Sequence, residues 1–419
     1  MLFQGWGTSL AWWANIDFDE ETKIKICELL FDKKYLGLNI VRYNLGGGTN
    51  PDNPDLHMRP GGLMPCLKDS KSGPICLDND KKQVYILREA ILRGVNHIEL
   101  FVNSPPWWLT KNKRTYSTNP GISNLSKDQY IAYVNFLNEV YCYFKERFPI
   151  CSIEPFNEPS NPFWTRDNGQ EGCFFGPFAR RQIIKQLKKL NPSMTISSAD
   201  EFSAGFGILW EYFSPSAAID QVNIHSYKLN YKSWTLKMDD WNITRKLLRR
   251  LVKKRFWMSE YGCGESNDFY KSLQFGKHII RDLRTLSPQA WIYWQAVEHY
   301  NGWGLLECNL KKPKHSPIII TAKYWIFMHF TKSLNEGDQY DVIKDNILYV
   351  HNPKTQKHIY IVINCSKSTL SFSPHIPNLQ ISNCIQTNQY FNYNSKILHN
   401  TLFLPSTITS VICKLCVQN

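Results

Sequence analysis

Ser152-Ile153-Glu154-Pro155-Phe156-Asn157-Glu158-Pro159 is the stretch from which the fold is read. A short, partly apolar run stops at Asn-Glu-Pro, and Pro159 has no N–H to give to a strand ladder. Glu158 is therefore expected at the carboxyl end of a strand, beside an amide able to bind a hydroxyl. About three strand–helix units further on, Phe256-Trp257-Met258-Ser259-Glu260-Tyr261-Gly262 repeats the pattern and ends on glycine. Either stretch alone reads equally well as a strand-end turn or a surface turn. Together they set two carboxyl groups on two strand rims. One acid to protonate a leaving oxygen and one carboxylate to attack, or to activate water, is the pair that glycoside hydrolysis uses.

Outward from these two, strand-like runs alternate with runs of helical period. Strands are expected at 4–14, 38–45, 97–103, 152–158, 195–200, 221–227, 255–261 and 290–296. Helices are expected at 20–35, 81–93, 126–148 (Ser126 capping), 176–190, 239–252, 267–286 and 321–334, with a short helix between the strands at 195–200 and 221–227. Eight strand–helix units in order describe an α/β chain folded as a (β/α)8 TIM barrel over residues 1–334. An open doubly wound sheet would want a glycine-rich phosphate loop after strand one. Gly46-Gly47-Gly48 follows strand two instead, with no helix start behind it. From about Gly337 short alternating runs separated by turn signals replace helices. Residues 335–419 thus read as a C-terminal antiparallel β-sandwich side domain, packed on the barrel because Asn335–Asp338 is too short to be a flexible linker. Residues 46–79 form a long loop, a length uncommon without function.

The barrel rule puts all strand carboxyl ends on one face. Arg42, Asn44, Trp107, Trp108, Asn157, Glu158, Asp200, His225, Tyr227, Glu260 and Trp294 fall there, with Glu171 close by in sequence to Glu158. The chain has 14 Trp and 21 Tyr, which suits a groove that stacks on sugar faces as well as a packed core. Its net charge of +13 favours anionic surfaces or acidic polymers. The basic runs 185–189 and 249–255 nevertheless read as solvated helix faces, and no nucleic-acid motif accompanies them. The 12 cysteines lack metal-ligand spacing; Cys413-Lys-Leu-Cys416 stands alone, and Cys66 and Cys76 read as free thiols unless bridged. No apolar run reaches membrane-spanning length. The first residues lack a basic region followed by an apolar core, so no signal peptide is read, and the compartment, secreted or particle-associated, is left open. Sequons stand at Asn124, Asn242 and Asn364.

The sequence resembles glycoside hydrolase family 30, and within it the endo-β-1,6-galactanases. The resemblance rests on Gly5-Trp6-Gly7-Thr8-Ser9-Leu10-Ala11-Trp12-Trp13-Ala14, Arg42-Tyr43-Asn44, Asn103-Ser104-Pro105-Pro106-Trp107-Trp108, the Glu158 and Glu260 stretches, Gln170-Glu171-Gly172-Cys173 and Tyr293-Trp294-Gln295. It implies Glu158 as acid/base and Glu260 as nucleophile of a retaining reaction. Relatives usually carry a side-domain strand ahead of barrel strand one, whereas this chain begins almost at that strand.

The chemistry of the residues agrees. Asn157 can hold a sugar 2-hydroxyl, and Arg42 and Tyr227 can keep Glu260 ionised. Trp294 is expected under the sugar, and one of Trp107 and Trp108 toward the groove. Arg42 reads alternatively as a buried ion pair and His225 as a core histidine. Glu171 either binds hydroxyls or pairs with Arg166, and Asp200 rather than Glu201 faces the groove. No metal or organic cofactor is expected, the partner is an oligo- or polysaccharide, and a monomer is expected. The competing readings are a β-1,6-glucanase or another β-glycosidase, and a sugar-binding barrel without catalysis.

Overall fold

Close approach at one glycine sets how the first strand lies in the computed structural model, which describes residues 2–227, 242–264, 268–300, 302–389, 393–396 and 402–415. A Cβ on Gly7 would sit 2.6 Å from the Ile40 carbonyl oxygen and 2.8 Å from Ile292 Cδ1. Only glycine lets β1 (Gly5–Ser9) run between the strands holding those two residues. Next come α1 (Glu20–Phe31), β2 (Ile40–Asn44), α2 (Lys81–Leu92), β3 (His97–Phe101), α3 (Tyr130–Lys145) and β4 (Ile150–Glu154). The Asp19 carboxylate caps α1 by accepting from Thr22 N at 2.9 Å. Ser126 makes no side-chain cap, and α3 begins after a short 3-10 turn. The second half of the barrel holds α4 (Pro177–Leu190), α5 (Ala204–Phe213), β5 (Gln221–His225), α6 (Asn242–Leu251), β6 (Arg255–Tyr261), α7 (Phe269–Thr285) and β7 (Ala290–Gln295). The start of the helix expected from residue 239 lies outside the described residues.

The parallel strands pair in the order β4-β3-β2-β1-β7-β6-β5. The expected fifth strand, 195–200, is not a regular one. It closes the barrel through bridges, Ile153 to Ile196, Ser197 to Gln221 and Glu201 to Ile224. Asp200 has φ +51°, which breaks the extended run there. The (β/α)8 ring is complete all the same.

Beyond β7 lie β8 (Val297–His299), β9 (Leu306–Cys308) and β10 (Ile319–Ile320), a small sheet ahead of α8 (Ala322–Ser333). An antiparallel layer follows: β11 (Gln339–Lys344), β12 (Ile347–Asn352), β13 (Lys357–Asn364), β14 (Leu370–Ser371), β15 (Leu379–Thr387), β16 (Asn394–Lys396), β17 (Leu402–Phe403) and β18 (Thr407–Leu415). Six strands pair as β11-β12-β13-β18-β15-β16, and β14 pairs with β17 to form the thin second layer. One face of the large sheet (Tyr349, Tyr360, Val411) packs with Phe372 and Phe403. The other (Leu348, Ile361, Ile408) joins the barrel's own hydrophobic core.

Cys66 and Cys76 are free thiols, not a bridge. Asn124 and Asn364 are buried, and each spends its amide nitrogen on backbone carbonyls of neighbouring loops. No described helix is long and apolar enough to cross a membrane.

Candidate active site

Glu158 does not end a strand. β4 stops at Glu154, and Glu158 stands in the turn beyond it with φ +42°. That left-handed backbone costs a non-glycine residue roughly 1–3 kcal/mol and persists only where neighbours fix it. Here Glu158 N donates to Asp200 O (2.9 Å), while Glu158 O accepts from Asn161 N (2.9 Å) and Trp164 Nε1 (3.0 Å). The peptide is pinned from three sides, and the carboxyl is turned into the barrel mouth. Its Oε2 accepts from Asn161 Nδ2 at 3.1 Å.

Glu260 comes from within β6, whose partner at this register is His225 of β5. Its Oε1 accepts from Tyr227 Oη at 3.0 Å, and its Oε2 lies 3.5 Å from Arg42 Nη1. Between the glutamates stands the His225 ring, fully buried. Nδ1 is 3.1 Å from Glu158 Oε1 and 3.5 Å from Glu260 Oε1; Nε2 is 3.1 Å from Asp200 Oδ1. One donor atom from each of Glu158, His225 and Glu260 falls within 4.8 Å of the others. A Glu158 oxygen therefore approaches a Glu260 oxygen to 4.8 Å or less. The same trio could offer donors to a divalent cation, but only after the imidazole gave up the proton it holds.

That proton is held firmly. Burial alone would lower the imidazole's pKa, but Glu260, Asp200 and the hydrogen bond with Glu158 outweigh it and lift His225 to about 10. Asp200 experiences the reverse balance. Burial would raise it, yet Arg42 and His225 hold its carboxylate down at about 2. For Glu260 burial dominates, and Glu158 adds a like charge. His225 and Arg42 pull the other way without cancelling them, and the carboxyl stands at about 7. The expected fully ionised Glu260 is thus corrected to a group that titrates near neutrality.

Several residues expected at the groove lie behind it. Asp200 is fully buried and faces Arg42, His225 and the Ser259 hydroxyl (2.6 Å). Arg42 is equally buried, with Nε 3.0 Å from Glu99 Oε1 and Nη1 3.2 Å from Ser259 O. It is both the buried ion pair and the Glu260 contact that the sequence offered as alternatives. His225 is sealed off from solvent by the carboxylates it holds. Asn44 and Glu171 are buried and do not line the cleft. Burial pushes the Glu171 carboxyl up, and its Oε1 accepts from Gly47 N at 2.9 Å, with Arg166 playing no part. Trp108 turns its edge to Phe136 and donates to Lys68 O at 3.0 Å, and neither it nor Trp107 lines the cleft.

Asn157, Tyr227 and Trp294 do line it, with Glu158 and Glu260, around a cleft of about 340 Å³. Sequence reasoning missed the rest of the wall: Trp12, Arg59, Asn103, Trp164, Gln170, Glu298 and Trp303. Trp12, Asn103 and Gln170 belong to motifs already singled out. Gln170 reaches the cleft and its neighbour Glu171 turns away. Arg59 comes from the long 46–79 loop and lies over the Trp12 ring at 4.4 Å. Three uncharged polar atoms in this wall, Trp12 Nε1, Asn103 Nδ2 and Asn157 Oδ1, are buried without a hydrogen-bond partner among the described residues. Tryptophan faces interleaved with unpaired polar atoms suit a ligand with apolar ring faces and a rim of hydroxyls.

Two opposed carboxyls at the mouth of a (β/α)8 barrel, walled by tryptophans, define an O-glycoside hydrolase. A family model described as O-glycosyl hydrolase family 30 matches residues 4–214, and the chain belongs to that family. An endo-β-1,6-galactanase of Hypocrea rufa is 28% identical over 409 residues, covering 88% of this chain and 80% of its own. Among solved structures, a conserved exported protein from Bacteroides fragilis superposes with a TM-score of 0.84 at 19% identity, over 98% of each chain. A family 30 subfamily 8 xylanase from Clostridium acetobutylicum gives 0.72 at 16% identity, over 99% of this chain and 97% of its own. These two similarities establish the fold.

Proposed function

We propose that the protein is a retaining endo-glycosidase that hydrolyses β-1,6-linked galactan by double displacement. The single observation that carries the mechanism is the approach of one Glu158 oxygen to within 4.8 Å of a Glu260 oxygen, which leaves the two carboxyl groups on the close side of the two geometries. Retaining enzymes hold them about 5–5.5 Å apart, whereas inverting ones leave roughly 6.5–9.5 Å for a water between them. Glu260, held by Tyr227 and Arg42, attacks the anomeric carbon while Glu158 gives its proton to the departing glycosidic oxygen. Glu158 then takes a proton from the water that releases the sugar from Glu260. Asn157 bonds the 2-hydroxyl as the oxocarbenium ion forms, and Trp294 lies beneath the ring. His225, positively charged between the two glutamates, offsets the negative charge that moves from Glu260 toward the leaving group.

The choice of galactan is supported by the 28% likeness to the Hypocrea rufa endo-β-1,6-galactanase, which runs through most of both chains. Product profiles on debranched β-1,6-galactan, β-1,6-glucan and xylan test it. Short β-1,6-galacto-oligosaccharides from the first alone are the expected result. Release from β-1,6-glucan alone would make the enzyme a glucanase.

A further inference from the structure

Ser160 stands two residues beyond Glu158, in the same turn. That turn closes on itself, since Asn161 N donates to Glu158 O at 2.9 Å and Asn161 Nδ2 to Glu158 Oε2 at 3.1 Å. Two further bonds tie it to the barrel wall. Phe175 N, just ahead of α4, donates to Pro159 O at 2.9 Å, and the Ser160 hydroxyl donates to Glu201 Oε1 at 2.7 Å. The same carboxylate oxygen accepts from Arg180 Nη1 of α4 at 2.5 Å, and Arg180 Nη2 donates back to Ser160 Oγ at 3.2 Å. Arg180 and Glu201 are both buried, and the guanidinium lies over the Trp210 ring of α5 at 4.3 Å. Glu201 is joined to the site on its other flank as well. Its carbonyl accepts from His225 N at 2.8 Å, and the carbonyl of Asp200 before it holds Glu158 N. A buried ion pair adds little stability beyond apolar packing of equal volume. This one supplies an acceptor of fixed direction at the point where the turn carrying Glu158 meets the wall.

We propose that Ser160, oriented by the Glu201–Arg180 pair, is a positioning residue for the acid/base Glu158. None of the three lines the cleft, so each acts only through the turn. The inference rests on the role given to Glu158 above. Chemistry dictates where a loosened turn is felt. A sugar alkoxide is a poor leaving group and needs the Glu158 proton as the glycosidic bond breaks, whereas a dinitrophenolate leaves without one. Water attacking the glycosyl-enzyme needs Glu158 as its base whatever has left, and azide needs no base. Misplacing the group by about 1 Å is enough to lose about a hundredfold in rate.

The test compares two substrates on the full-length enzyme, β-1,6-galactan and the dinitrophenyl glycoside of β-1,6-galactobiose. Ser160→Ala should lower kcat/KM on galactan about tenfold and leave kcat/KM on the aryl glycoside unchanged to within about twofold. On the aryl glycoside kcat should fall, because release of the sugar from Glu260 limits it, and azide should restore it. Ser160→Thr, which keeps the hydroxyl, should recover the galactan rate. Glu201→Gln removes the charged acceptor and should split the two substrates in the same sense, more strongly. Glu158→Gln is the reference. If it lowers kcat/KM on both substrates alike, the acid/base role itself fails. If it splits them and Ser160→Ala does not, by no loss or by equal loss on both, the positioning proposal alone is overturned. Should Glu201→Gln not fold, the two Ser160 variants decide it. Should the wild type cleave β-1,6-glucan instead, the same comparison runs on that polymer and its aryl glycoside.

Discussion

At the scale of single residues, the cleft is governed by competition around Glu260. Its carboxyl stands at about 7 because burial and Glu158 prevail over His225 and Arg42. In the proposed mechanism only the ionised form attacks, so kcat/KM should climb as pH rises through about 7 and fall away below it. His225 is the largest influence lowering that value. Removing its charge in His225→Gln should therefore move the acidic limb to higher pH, and a pH–rate profile reads this directly. A limb that stays in place would mean the imidazolium does not set the nucleophile's ionisation. Glu260→Gln should reduce turnover by roughly 10⁴-fold or more with sugar binding retained, as followed by calorimetric titration. Glu158→Gln should recover part of its rate on aryl glycosides with good leaving groups, or with azide. The two glutamates could be singled out in sequence because Pro159 and Gly262 close the two short runs that carry them, although Glu158 stands in the turn beyond β4 and not at a strand end. Arg42 and Asn44 could not be sorted in this way. Two apart on β2, they share the face that turns inward, and both are completely buried. The strand-end rule locates a residue along the chain but does not say how deep it sits.

At the scale of elements, the turn after β4 is the feature on which the site depends. Trp164 holds the Glu158 carbonyl, and Gly172 makes room for Trp164. A Cβ on Gly172 would fall 2.2 Å from the Trp164 ring, an overlap that forces the indole to move. Gly172→Ala should cost about 1–3 kcal/mol in stability and lower kcat more than KM, since the acid/base is displaced. Denaturant melts beside steady-state kinetics check both parts. A melting change without a kcat change would separate Trp164 from the chemistry. The Gln-Glu-Gly-Cys run was conspicuous in sequence, but its reason was not. Gln170 faces the cleft, Glu171 is buried behind it, and Gly172 is there for its missing side chain. The irregular strand 195–201 is a similar case. Its apolar residues announce a strand, while the left-handed backbone at Asp200 depends on contacts with Arg42, His225 and Ser259 that no local pattern encodes.

At the scale of the whole molecule, barrel and β-layer share one hydrophobic core. His329 of α8 is buried between the two, with Nδ1 2.8 Å from Ser410 Oγ and Nε2 2.9 Å from Thr387 Oγ1; burial holds it neutral down to about 3. Heat should therefore unfold barrel and β-layer in one calorimetric transition. His329→Ala, which leaves two hydroxyls without their partner, should shift that single transition downward rather than release an early-melting β-layer. Two separated transitions in the wild type would contradict the shared core. The eightfold alternation made the barrel legible, and the loss of helical period after about residue 337 announced the β-layer. The sandwich reading implied a second layer, but of its two strands β17 gave no signal, because a two-residue strand leaves no period. The central claim is that Glu158 and Glu260 act as acid/base and nucleophile of a retaining reaction. Proton NMR of the first sugar released from β-1,6-galactan, recorded before mutarotation, tests it most directly. The account predicts the β-anomer; an α-anomer as first product would contradict it.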